Sequence, residues 1–85
     1  MSIRAEGTTI TWTVPTGLSQ AEIRERASAY EAALKNDGIV THDPVIDFTR
    51  RVVTFRFIAG ANAKKTRGRA FSIAGPILDG NGPEV

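Results

Sequence analysis

The sequence predicts an α+β fold, a small and mostly antiparallel three-stranded sheet packed on one side by a helix at about 20–36. Three observations predict it: apolar–polar alternation over residues 8–14, a capped amphipathic helix after it, and a second alternating run over 51–59. At 85 residues the chain fits one domain spanning 1–85, with a C-terminal tail over 79–85. A chain of this length hides only about 60–65% of the surface its unfolded form exposes, so its core is thin.

In the first run Ile10, Trp12 and Val14 face one way and Thr9, Thr11 and Thr13 the other, as in a half-buried strand, which Pro15-Thr16-Gly17 ends. Ser19 followed by Glu22 then has capping-box spacing, in which each side chain accepts the other residue's free backbone N–H. Leu18 before the cap and Ile23 after it are spaced as a hydrophobic staple. Ile23, Ala27, Tyr30 and Leu34 form one apolar stripe at helical spacing. Glu22 and Arg26 are placed to pair on the solvent side, and Gly38 suits the left-handed residue that stops a helix.

Residues 39–41 open a second extended stretch, which Asp43-Pro44 interrupts because proline lacks a ladder donor; residues 45–48 resume it. A turn at Thr49-Arg50 leads into the strand over 51–59, with Val53, Phe55 and Phe57 toward the core and Val52, Thr54, Arg56 and Ile58 opposite. A right-handed crossover through the helix would set the first and second strands parallel. Residues 61–78 fit a helix starting at an Asn62 cap, with Ala63, Ala70, Phe71, Ala74, Ile77 and Leu78 on one face and Gly75-Pro76 as its stop. The alternative there is a basic loop followed by a short strand over 69–74. The predicted order is therefore β-α-β-β followed by a helix or a strand.

The chain has no cysteine, which excludes disulfides and thiolate metal sites. His42 beside Asp43, with Asp47 near, lacks a second nitrogen or sulfur ligand and reads as an exposed loop histidine. Asp79-Gly80-Asn81-Gly82 lacks the later ligands of a calcium loop. Ser19, Ser28 and Ser72 have no nucleophile-elbow context, and Gly60, Gly68 and Gly75 do not have phosphate-loop spacing. No catalytic residue, metal site or cofactor is expected, and the chain is not expected to be an enzyme. No apolar run approaches the about 20 residues of a membrane span, and the N-terminus carries no signal-peptide core. The expected location is the cytoplasm or the interior of a virion-type assembly, with no membrane partner.

The net charge of +2 hides an asymmetry. Residues 1–49 carry four cations against seven acids, and residues 50–85 carry seven against two. All seven of the latter, Arg50, Arg51, Arg56, Lys64, Lys65, Arg67 and Arg69, fall within 50–69, where there is no acid. Such a run suits phosphate or carboxylate contacts, arginine offering bidentate geometry and lysine a point charge. The competing role is a solvated face that balances the acidic helix. Trp12, Tyr30, Phe55, Phe57 and Phe71 are expected in the core.

Arg67-Gly68-Arg69-Ala70-Phe71-Ser72-Ile73 is similar to the central-strand signature of RNA-recognition-motif domains: a basic residue, Gly, an aromatic, a small residue, a second aromatic. The similarity covers seven residues. Arg69 stands where the first stacking aromatic belongs, Trp12 is one position out of register, and too few residues follow for that family's last helix and strand. No membership is drawn from it.

Together these features predict a non-catalytic interaction or assembly subunit of a larger complex, such as a small viral-particle structural protein or an accessory subunit. Segment 50–69 would face an anionic partner. Expected partners are other protein subunits, copies of the same chain among them, because a Thr-rich open face, a free strand edge and oppositely charged halves suit such packing. A module binding DNA or RNA is the alternative, and a small enzyme the third choice.

Overall fold

The computed structural model describes residues 3–79. In chain order these form β1 (Ile3–Glu6), β2 (Thr9–Thr13), α1 (Gln20–Asn36), β3 (Val40–Thr41), β4 (Val45–Asp47), β5 (Val52–Ile58) and α2 (Ala63–Leu78). The fold is α+β, with an antiparallel sheet of order β1-β2-β5-β3 in which β4 also pairs β5. The expected three strands become five for two reasons. A hairpin strand, β1, precedes the first one, and the second predicted strand is split into β3 and β4.

The β1–β2 hairpin turns on Gly7-Thr8. Glu6 pairs with Thr9, leaving a two-residue connection with Gly7 at φ +60°, a conformation glycine adopts without steric cost. At the other edge of the sheet, Val40 pairs with Ile58, Thr41 with Phe57, and the His42 N–H donates to the Arg56 carbonyl at 2.9 Å. Pairing resumes with Val45 opposite Thr54. Asp43 and Pro44 together therefore oppose Phe55 alone. This is a β-bulge, and it places the proline where no ladder N–H is needed. β2 and the β3–β4 strand run in the same direction, as the crossover argument expected, but β5 lies between them and is antiparallel to both.

α1 keeps the predicted bounds because its signals are local. Ser19 accepts from the Glu22 N–H at 3.1 Å, and Glu22 accepts from the Ser19 N–H at 2.9 Å. At the far end Gly38 sits at φ +81°; its N–H reaches Lys35 and the Ile39 N–H reaches the Leu34 carbonyl. That is a Schellman stop, with Ile39 and Leu34 both buried beside it. Arg26 does not serve as a partner fixed to Glu22; its Nη1 donates to the Leu78 carbonyl at 2.9 Å and ties α1 to the end of α2.

Residues 61–78 form the helix rather than the strand alternative, so the segment similar to the RNA-recognition signature lies inside α2. Gly75-Pro76 does not stop it. Pro76 leaves the Ser72 carbonyl without its helical donor, and both residues lie on the exposed side, where water can serve that carbonyl. The helix ends at Asp79, whose N–H bonds to Gly75. Asp79, expected in the tail, is thus tied to the fold; 80–85 lie outside the described residues.

Both helices pack on one face of the sheet. Ile23, Ala27, Tyr30 and Leu34 of α1 and Ala70, Ala74 and Leu78 of α2 join Ile3, Ile10, Trp12, Val53, Phe55 and Phe57 in one core. Each large side chain fully buried there contributes about 1.5–3 kcal/mol. Phe71 packs against this core while only partly buried.

Candidate interaction surface

With both helices on one side, no described element covers the opposite face of the sheet. The registers arrange its residues in cross-strand rows: Glu6, Thr9 and Arg56; Arg4, Thr11, Thr54 and Val45; Thr13, Val52 and Asp47; Ile58 and Val40. His42 extends the first row beside Arg56. Val40, Val45 and Ile58 are 61%, 64% and 57% exposed, the large apolar side chains left in solvent among the described residues, and Val40 stands directly opposite Ile58. Isolated exposed apolar residues need no explanation, but neighbouring ones mark a contact surface. Trp12, Tyr30, Phe55 and Phe57 are all buried on the other side, so this face offers no stacking platform for bases.

The structure separates the seven cations of 50–69 into distinct places. Arg50 is exposed in the β4–β5 turn, where its backbone N–H donates to Asp47 Oδ1 at 3.0 Å. Arg51 occupies the left-handed region at φ +56°, and its Nη2 donates to the Pro15 carbonyl at 2.6 Å, binding that turn to the loop before α1. Its Nε is buried with no hydrogen-bond partner among the described residues. Arg56 lies on the uncovered face of β5. The other four lie on α2, beyond the opposite end of β5, about 20 Å of strand away from the turn.

Within α2 the helical period divides the cations again. Lys64 and Arg67 line a shallow cleft of about 380 Å³ with Ala5, Gly68 and Phe71, and Arg67 Nη1 donates to the Gly7 carbonyl at 3.1 Å. Lys65 and Arg69 line another, of about 250 Å³, with Asp37 and Thr66. Arg69 is spent inside the molecule on Asp37, with Nε to Oδ2 at 2.9 Å and Nη2 to Oδ1 at 3.1 Å. Lys64, Lys65 and Arg67 thus share the first two turns of α2, with Lys65 on a different side from the other two, and Arg50, Arg51 and Arg56 do not join them. Asn62 makes no side-chain cap and the first turn holds no acid, so these cations sit at the positive end of the helix dipole.

The local electrostatics follow from these contacts. The hydrogen bond from Arg69, then its charge, holds the Asp37 carboxyl below the usual carboxylate range, and Asp37 in turn makes Arg69 a weaker acid. The Ser19 backbone N–H, then its hydroxyl, lowers Glu22 in the same way. Burial, with Asp43 nearby, raises Glu31, which lines a cleft of about 470 Å³ between α1 and β3 together with Lys35, Ile39 and Val40. Burial also raises the Tyr30 hydroxyl, which donates to the Ala70 carbonyl at 2.7 Å.

Among the described residues no group of three or more His, Asp or Glu side chains is placed to hold a metal ion. No described helix is long and apolar enough to cross a membrane. Sequence reasoning singled out the cations and passed over Val40, Val45 and Ile58; the available signal was apolar residues on both faces of the 51–59 run. No family model, no curated protein and no solved structure matches the chain.

Proposed function

We propose that this chain is a non-catalytic interaction or assembly subunit, bound to other protein subunits through the uncovered face of its sheet. The observation that carries this is the Val40–Ile58 pair, with Val45 two cross-strand rows farther along the same edge, each more than half exposed on a face that no described helix covers. Removing such side chains from water stabilises a contact by roughly 1–2 kcal/mol each. The flanking threonines add hydroxyl donors and acceptors without the desolvation cost of charges. Copies of the same chain are among the expected partners, in the cytoplasm or in a virion-type assembly.

The test replaces both members of the pair, Val40→Lys with Ile58→Lys, and compares partner capture from the native host at low and moderate salt. The variant should keep the circular dichroism of the parent and lose the protein partner that the parent retains. Equal capture by both chains would end the proposal.

A second reading rests on Lys64, Lys65 and Arg67 at the uncapped start of α2, a site for the phosphates of DNA or RNA. Backbone contacts of this kind bind without reading sequence, which suits a sheet whose aromatic residues Trp12, Phe55 and Phe57 are buried under the helices. Replacing all three by Ala should lower the salt slope of nucleic-acid binding by about 2–3. An unchanged slope removes this reading.

A further inference from the structure

We propose that β1 pairs antiparallel with the β1 of a second copy of this chain, about a twofold axis at Ala5, joining two sheets into one. β1 is an outer strand with no partner on its far edge among the described residues. The two-residue turn makes Glu6–Thr9, and hence Arg4–Thr11, the pairs that exchange hydrogen bonds with β2. The amide groups of Ile3 and Ala5 therefore point outward. About an axis at Ala5, its outward N–H and C=O meet the same groups of the copy.

In that register Arg4 of each copy lies opposite Glu6 of the other, on the uncovered face. These side chains are 78% and 79% exposed and approach each other only to 4.0 Å along their own strand, so both remain available. The competing registers fail on charge or on facing. A shift of two residues sets Arg4 against Arg4 or Glu6 against Glu6, and a shift of one joins the uncovered face of one sheet to the helix-bearing face of the other. This charge complementarity of the strand with itself commits the occupant to a second copy. The opposite edge has no such capacity, being interrupted at 42–44, bulged and occupied by Pro44.

Lys64 and Arg67 stand beside Ala5 on the helix side and oppose the pairing by like-charge repulsion. Arg67 is held by the Gly7 carbonyl and Lys64 is exposed, so solvent and salt screen that repulsion. A strand this short buries little surface, which sets the association in the micromolar to millimolar range. The inference goes beyond the proposed function, since it uses a strand edge and brings two uncovered faces side by side.

Sedimentation of the full chain from micromolar to millimolar concentration tests it, with Arg4→Glu, Glu6→Arg and the double swap. The parent should pass from monomer to dimer. Each single variant should associate at least about tenfold more weakly, because like charges then face each other, and the double swap should restore the dimer. A monomeric parent, single variants that associate as the parent does, or a double swap that restores nothing overturns the proposal. Should a single variant fail to fold by circular dichroism, Ala5→Pro replaces it: this change removes an outward N–H and must abolish the dimer. The Val40→Lys/Ile58→Lys chain must still dimerise, which keeps the outcome separate from that of the sheet face.

Discussion

Arg69 grips Asp37 from a distance of 32 residues in sequence and links the middle of α2 to the residue that ends α1. Because the contact depresses the Asp37 pKa, its stabilisation is present above the unfolded-state value of about 4 and is lost as pH falls through the folded value. Glu22 carries the same sign. Glu31, raised by burial, has the opposite sign: its ionisation costs stability as pH rises past about 4. Thermal midpoints measured from pH 7 down to pH 2 should therefore fall on acidification. Asp37→Asn should lower the midpoint at neutral pH and converge on the parent at the acid end, whereas Glu31→Gln should raise it at neutral pH. Parallel curves for Asp37→Asn and the parent would contradict the assignment.

Tyr30 does two things at the centre of the core, and substitution separates them. Its ring meets Phe55 edge-on, with centroids 4.7 Å apart, and its hydroxyl reaches the Ala70 carbonyl of the other helix. Tyr30→Phe keeps the ring and should cost about 1 kcal/mol. Tyr30→Ala leaves a cavity where sheet and helices meet and should cost about 3–5 kcal/mol. Urea unfolding measures both, and equal losses would show that the hydroxyl, not the packing, carries the site.

What the sequence discloses tracks the range of the interactions. α1 is legible to the residue because Ser19, Glu22, Gly38 and the apolar stripe act within a few positions of one another. β1 is not, since its four residues bring only Ile3 as a large apolar side chain; the signal was Gly7-Thr8, a two-residue turn with glycine first. Pro76 was read by a local rule that an exposed last turn overrides. The run of cations does not fold into one patch, for a geometric reason. The strand period turns Arg56 to the uncovered face, the helical period splits Lys64 and Arg67 from Lys65 and Arg69, and an acid 32 positions away claims Arg69.

Arg51 sets a backbone cost against a side-chain gain. A non-glycine residue at φ +56° costs roughly 1–2 kcal/mol, and the guanidinium bond to Pro15 offsets part of this. Arg51→Ala keeps the cost and discards the bond. Arg51→Gly discards both, so it should be more stable than Arg51→Ala by about 1 kcal/mol and lie close to the parent. Chemical denaturation of the three chains gives the order; an alanine variant at least as stable as the glycine variant would show that the turn is not strained.

The end of α2 is held to the sheet by Trp12, whose Nε1 donates to Asp79 Oδ1 at 3.2 Å while the indole itself has no exposed surface. A buried N–H that loses its acceptor carries its full desolvation penalty, so Asp79→Ala should cost about 1–3 kcal/mol. Asp79→Asn retains an oxygen in the same place and should cost less. Trp12 is the sole tryptophan, so its fluorescence follows this contact directly during unfolding. The native emission should stay that of a buried indole in both variants, while the midpoint falls further for alanine than for asparagine. Identical midpoints would mean that the bond between the Asp79 carboxyl and the indole does not hold the helix end, and that the indole N–H finds another acceptor.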